Sequence, residues 1–304
     1  MTAGGAGGKR IRLLLAFATI YLVWGSTYLA VARAVETIPP LLMMSIRLMA
    51  AGALLYAWAW SRGVVHARPA EWRAALRVSV VLIVGTYGFM GWAMERIPTG
   101  IAALLAATSP MWAVGIARVW PGERRPVAGN VLGAAVGLGG VALLVGQGAP
   151  AGLDLAGAAA MLFSGICWSL GAFLSRGAAL PASLPQATGM QMMTGGALLF
   201  LVSMSSGELG AFSIGSATPV SFLALAYLIT FGSFLAFYAY AYALRETSPM
   251  TVMTHTYVNP LVAVVLGWAL AGERVTASML LAGSVIVVAV VLITRRRKRE
   301  PATA

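Results

Sequence analysis

Apolar runs of about 20 residues, the length that carries an α-helix across a bilayer core, recur ten times in this 304-residue chain. They fall at residues 11–32, 40–60, 74–94, 100–120, 127–147, 155–175, 184–205, 219–241, 249–271 and 277–294, bounded by charge, proline or glycine. In hydrocarbon every backbone polar group must be paired internally, and a helix does this within one segment. The spacing therefore predicts an all-α polytopic membrane protein of ten transmembrane helices. Ten spans leave only connections and two ends. Hydrophobic residues at 60%, charged residues at 10% and a mean hydropathy of +0.85 exclude a soluble cytosolic enzyme.

Lys and Arg beside spans mark the cytoplasmic side. With both termini inside, Lys9, Arg10, Arg12, Arg62, Arg68, Arg73, Arg77, Arg118, Arg124, Arg125, Arg176, Arg245, Arg295, Arg296, Arg297, Lys298 and Arg299 are cytoplasmic, whereas only Arg33, Arg96 and Arg274 fall outside. A missed or invented span would scramble that asymmetry. The net charge of +12 is thus read as topology rather than nucleic-acid binding. The basic tail 295–299 is read as an anchor, with a lipid contact as the alternative. Lys9, Arg10 and Arg12 ahead of an apolar run resemble a secretory signal, but the run is too long for one and nine more follow. The single cysteine, Cys167, excludes an intrachain disulfide.

Residues 93–114 and 243–264 superpose with a constant shift of 150, placing Pro110 on Pro260, Ala113 on Ala263 and Val114 on Val264. The match continues through Gly122-Glu123-Arg124 on Gly272-Glu273-Arg274 and Gly133 on Gly283. Trp24-Gly25-Ser26 and Cys167-Trp168-Ser169 are weaker counterparts. The chain thus reads as two repeats, residues 1–147 and 148–304, of five spans each. Five is odd, so the second copy enters from the opposite face. Inverted halves exchange conformations, opening a central space first to one side and then to the other.

All nine carboxylates fall in loops, termini or span ends. An acid at the bilayer centre costs about 2.5–3.5 kcal/mol on insertion scales, so their absence argues against a proton-relay glutamate and against a carboxylate cage for sodium. The interior ionisable groups are Arg47 and His255. Arg47, about 10 Å deep at 1.5 Å per residue, either clamps a substrate carboxylate or serves as a structural cation. His255 shares a helical stripe with Thr251 and Asn259, with Thr254 adjacent, read as a cavity wall or as helix–helix glue. It is the one candidate proton carrier.

Pro110 and Pro260 interrupt helical spans and free the carbonyls of Ala106 and Thr256, so they predict kinks lining the central space. Trp24, Tyr28, Tyr87, Trp92, Trp112, Trp168, Phe237, Tyr238 and Tyr257 supply aromatic faces for an amphipathic zwitterion, with Thr27 and Thr108 as further polar points. Binding residues are thus expected among Trp24, Thr27, Tyr28, Arg47, Tyr87, Thr108, Trp112, Trp168, Tyr238, Thr251, His255 and Asn259. Gly129, Gly133 and Gly137 form a small-residue face, read as packing within a monomeric bundle, with a dimer as the alternative. No metal site or cofactor is expected. No GxxxxGK[ST] string suggests a nucleotide, and no GxSxG or HExxH pattern suggests an enzyme.

The strings 24–55, beginning Trp24-Gly25-Ser26-Thr27-Tyr28, 98–112, and 257–276, beginning Tyr257-Val258-Asn259-Pro260, resemble the EamA family of the drug/metabolite transporter superfamily over nearly the whole chain. The resemblance implies ten helices in two EamA repeats, a bacterial inner-membrane location and export of amino acids or related metabolites. Within the family the chain is similar to exporters of aromatic amino acids, methionine or threonine. It departs from many relatives in carrying His255 where they have tyrosine. Three functions follow for comparison: a secondary exporter not strictly coupled to protons, a proton-coupled metabolite or drug exporter using His255, and a non-transporting sensor or lipid scramblase.

Overall fold

The computed structural model describes residues 3–121, 126–143, 152–246, 252 and 255–294. Among them ten helical rods follow one another with no strand between. These are α1 (Ala3–Val35), α2 (Pro40–Ser61), α3 (Pro69–Met94), α4 (Thr99–Val119), α5 (Ala128–Leu143), α6 (Leu155–Gly177), α7 (Leu184–Ser205), α8 (Pro219–Tyr227, Leu228–Leu235 and Ala236–Glu246 end to end), α9 (His255–Ala271) and α10 (Ala277–Thr294). Seven of these (α1–α4 and α6–α8) are long and apolar enough to cross a membrane. The apolar parts of α5, α9 and α10 are shorter. Large apolar side chains stand on the outer surface, Leu14, Leu22, Leu223 and Trp268 among them, as lipid contact requires.

The helix starts follow from local chemistry. Proline stands in the first turn of α2, α3, α7 and α8, where its missing N–H is no loss. Asp154 accepts from Ala156 N (2.8 Å) and Gly157 N (3.0 Å) to cap α6, and Thr218 accepts from Ser221 N (3.2 Å) at the start of α8.

Contacts between helix ends fix the directions. At the near end, where α1 begins, Lys9 pairs with Glu246 at the close of α8 (2.6 Å), and Gln186 in α7 donates to Val65 O just after α2 (2.8 Å). At the far end, Arg33 donates to Leu270 O of α9 (3.1 Å), Ser221 of α8 donates to Arg33 O (2.8 Å), and Glu208 accepts from Leu41 N and Leu42 N of α2. Arg96 after α3 approaches Asp154 before α6 (3.9 Å), and Glu273 before α10 accepts from Thr99 N of α4 (2.8 Å). Accordingly α1 runs from near to far while α6 runs from far to near, and each helix of the first five opposes its counterpart among the second five.

The structure departs from the sequence expectations in four places. The helix of the first span begins at Ala3 and includes the basic Lys9, Arg10 and Arg12; that of the third begins at Pro69, capped by Glu71 accepting from Arg68 N (2.6 Å); that of the eighth reaches Glu246. Polar helical turns project past the apolar run, where hydropathy carries no signal. The two prolines also differ. At Pro110 the fourth helix breaks at Ala107–Thr108 and restarts at Ser109, whereas α9 runs unbroken through Pro260.

The glycine face of α5 packs inside the bundle against α10. A Cβ on Gly140 would meet Ile286 Cγ1 at 2.9 Å, and one on Gly137 would overlap Met111, whereas Gly129 faces open space.

Both third helices of the halves contain π-helical turns, Val80–Gly88 in α3 and Leu228–Leu235 in α8. Such turns insert a residue into the helical register and re-aim side chains, and they gather at functional sites.

Candidate functional site

A cavity of about 110 Å³ lies where α1, α2, α3, α4, α6 and α9 converge. At about 10–15 Å³ per water it has room for several waters or a small solute. Arg47 and Tyr87 each stand seven residues from their helices' far ends, about 10 Å at 1.5 Å per residue, and Trp24 stands eleven residues from the end of α1. The cavity is therefore interior.

Close approach of α1 and α9 builds one wall. A Cβ on Gly25 would lie 2.5 Å from Val262 Cβ, so glycine at 25 lets the two helices touch and brings Trp24 to His255, ring centroids 5.0 Å apart and edge-on. Trp24 also meets Phe237 (5.3 Å), Tyr240 (5.2 Å) and Trp168 (6.2 Å), and its Nε1 donates to Gly232 O (3.1 Å). That acceptor belongs to the π-helical part of α8.

The neighbouring Ser233 accepts from Arg47 Nε (2.8 Å). Arg47 is 2% exposed; among the described residues Nη1 reaches Met44 Sδ (3.8 Å), and Cζ lies 5.4 Å from the Tyr87 ring centroid. Among the described residues no carboxylate pairs with it. A guanidinium keeps its proton in proteins, so the cavity holds one positive charge. Thr86, beside Tyr87, is buried and lines the same cavity, and its Oγ1 has no hydrogen-bond partner among the described residues. Buried polar groups are normally paired, so this hydroxyl is an exception.

His255 Nδ1 lies 2.9 Å from Val252 O. A carbonyl only accepts, so Nδ1 carries a proton, and in the neutral ring Nε2 keeps a lone pair. Asn259, oriented to donate to His255 O (3.0 Å) and Tyr21 O (3.2 Å), leaves its Oδ1 as an acceptor. Both residues line the cavity.

Of the residues nominated from sequence, Trp24, Thr27, Tyr28, Arg47, Tyr87, Trp168, His255 and Asn259 come together here, with Pro260. Thr108, Trp112 and Tyr238 do not line it. Thr108 Oγ1 donates to Leu105 O (2.6 Å) and accepts from Trp112 Nε1 (3.1 Å), so the pair staples the break in α4. Ser109 donates to Ala106 O (2.7 Å), satisfying the carbonyl that Pro110 frees. Tyr238 is 38% exposed and packs edge-on against Trp58 (4.7 Å). With about 100° of turn per residue, a helix that points Phe237 and Tyr240 inward points Tyr238 out. Thr251, Thr254, Glu123 and the basic tail 295–299 lie outside the described residues, as does the side chain of Tyr257.

Sequence reasoning passed over Thr86, Ser109 and Ser164, all of which line the cavity. Ser164 Oγ donates to Thr86 O (2.8 Å), holding α6 to the π-helical turn of α3. Small hydroxyls scattered in apolar helices give no pattern to find them by.

A helical membrane bundle with an interior, one-charge cavity defines the class, and comparison with known proteins gives the family. The model of the EamA-like transporter family matches residues 11–146 and again 155–295. The chain is 37% identical over 285 residues, 91% of its own length and 90% of the other's, to the "Uncharacterized inner membrane transporter YedA" of Escherichia coli K12. It is 27% identical to "Protein PecM" of Dickeya dadantii, over 92% of this chain and 93% of that one. A solved crystal structure, 22% identical, superposes with TM-score 0.67 over 93% of this chain and 98% of that one, a likeness of fold. The chain belongs to the EamA-like transporter family. It is a membrane transporter built of two EamA repeats.

Proposed function

We propose that this transporter exports neutral amino acids, aromatic ones included, or related small metabolites across the bacterial inner membrane by alternating access. In this reading the chain crosses ten times as two inverted halves, residues 1–147 and 148–304, with both termini cytoplasmic, and it works as a monomer. The near end is then cytoplasmic and the far end periplasmic. An inner-membrane relative at 37% identity supports the location.

The observation that carries the reading is the cavity itself. It is interior, lies between helices of both halves, and combines aromatic faces at Trp24 and Trp168 with one guanidinium at Arg47. At the far end above it Glu273 bonds the start of α4 and Arg33 bonds Leu270 O. Release on that side requires these contacts to part.

Coupling to protons is not required in this reading. The described carboxylates stand at helix ends or in connections: Glu36, Glu95, Asp154, Glu208 and Glu273 at the far end, Glu71 and Glu246 at the near end. Proteoliposomes of the purified chain, preloaded with phenylalanine, methionine or threonine, are expected to show efflux without an imposed pH difference. Efflux only under a proton gradient would favour the alternative of coupling through His255. Absence of flux for the whole amino-acid panel would contradict the export reading.

A further inference from the structure

We infer that the cavity selects molecules carrying a single negative charge, with a carboxylate as the counter-ion of Arg47, and that an α-ammonium group is not needed for recognition. The inference rests on the transport reading of the same cavity and, within it, favours the related small metabolites over the amino acids themselves: small monocarboxylates with an apolar body.

Two independent features point the same way. First, the Arg47 guanidinium is buried and charged, yet its described partners are neutral: a serine hydroxyl, a thioether and a tyrosine ring. A carboxylate matches the planar fork of a guanidinium with two parallel hydrogen bonds. Second, Thr86 lines the same cavity, and its hydroxyl is buried without a partner among the described residues. In the proposal an oxygen of the bound molecule is the partner this donor lacks. Arg47 and Thr86 come from different helices, α2 and α3, and neither hydrogen-bonds the other among the described residues.

The opposite charge has no such provision. Among the described residues no carboxylate lines the cavity. The acceptors there are neutral: His255 Nε2 and Asn259 Oδ1 receive a hydroxyl or amide N–H as readily as an ammonium. Interactions between charges strengthen as the dielectric falls, so the sign of the occupant decides the outcome. A monoanion brings the site to neutrality, a zwitterion leaves its positive charge in place, and a cation doubles it. The aromatic faces of Trp24 and Trp168 take the apolar body in every case.

Three probes share one ring and differ in charge: 3-phenylpropionate (anion), phenylalanine (zwitterion) and 2-phenylethylamine (cation). Ligands that bind only the folded state raise its unfolding temperature with concentration. Thermal unfolding of the full chain in detergent is expected to show the largest upward shift with the anion, a smaller one with the zwitterion and none with the cation. Thr86→Val is expected to weaken anion binding about tenfold, the scale of one hydrogen bond to a charged group. It should leave the empty protein's midpoint unchanged or higher, because the lost hydroxyl has no partner among the described residues. Arg47→Lys keeps the charge without the fork and should likewise bind the anion about tenfold more weakly.

A shift with the amine equal to that with the acid, a shift with phenylalanine but not the acid, or no shift with any probe overturns the inference. Flux of these probes through proteoliposomes separates the two readings. Binding of the acid without flux contradicts transport but not the carboxylate site, whereas flux of the amine alone contradicts the carboxylate site but not transport.

Discussion

Gly52 of α2 and Gly189 of α7 face each other backbone to backbone: a Cβ on either would lie 2.8 Å from the other's carbonyl oxygen. The relationship repeats further along the same pair, where a Cβ on Gly196 would lie 3.1 Å from Ser45 O. Gly196 stands 144 positions after Gly52 and Gly189 stands 144 positions after Ser45. The two contacts are therefore one contact seen twice, related by an approximate two-fold axis between α2 and α7. The same axis relates halves that run in opposite directions, so this seam is one of the contacts that join the repeats.

Substitution at the seam is expected to be costly because backbone cannot swing aside as a side chain does. Gly189→Ala should destabilise by about 1–3 kcal/mol, the usual range for overpacking, and lower the thermal midpoint in detergent. Gly129→Ala, which meets nothing within 4 Å, is the control and should leave the midpoint unchanged. Equal behaviour of the two would contradict the close approach.

Glu273 is expected to act as a latch on the far end. It accepts from Thr99 N, Thr99 Oγ1 and Gly100 N at 2.8, 2.7 and 3.2 Å, placing a carboxylate on the positive end of α4. Gly272, at φ +68, lets the chain turn so that Glu273 reaches back. Glu273→Ala should remove hydrogen bonds worth about 1.5–3 kcal/mol each and shift the resting population toward the far-open state. In a Cys167→Ser background, a cysteine at Tyr28 should then label faster from the far side. Unchanged labelling would make Glu273 a helix cap only.

Trp24→Phe keeps the ring packed on Phe237 and Tyr240 but loses the Nε1 bond to Gly232 O. It should cost about 0.5–1.5 kcal/mol of stability and loosen α1 from the π-helical turn of α8. Gly232→Ala attacks the same junction from the other side, since a Cβ there would stand 2.9 Å from Thr27 Cγ2 and 3.4 Å from Arg47 Nη2. Substrate efflux from proteoliposomes is expected to fall several-fold in Gly232→Ala. Wild-type efflux would show that Arg47 does not need its observed position.

Much of the bundle was legible because hydrocarbon imposes a single rule on every span: apolar side chains over a fixed length. The meeting of Trp24, Arg47 and His255 was legible for the complementary reason, since polar and amphipathic groups inside that rule must face one another. The π-helical turns of α3 and α8 were not, because one extra residue per turn leaves composition unchanged while rotating everything after it. Thr108 and Trp112 read as cavity residues by type, yet they satisfy each other across a helix break that Pro110 signals without specifying. The α2–α7 symmetry stayed hidden because it constrains only residue size, and because its offset of 144 differs from the 150 of the later spans. The six extra residues fall in the connection after α7, which spans 206–218 against 62–68 after α2 and contains the short helix Glu208–Ala211.

The most direct test of alternating access uses the same single-cysteine protein at position 28, labelled with a membrane-impermeant thiol reagent in right-side-out and inside-out vesicles. Labelling from both faces, in a ratio that changes when 3-phenylpropionate or phenylalanine is added, is the result expected of one interior site reached alternately from two sides. Labelling confined to one face under every condition would contradict it.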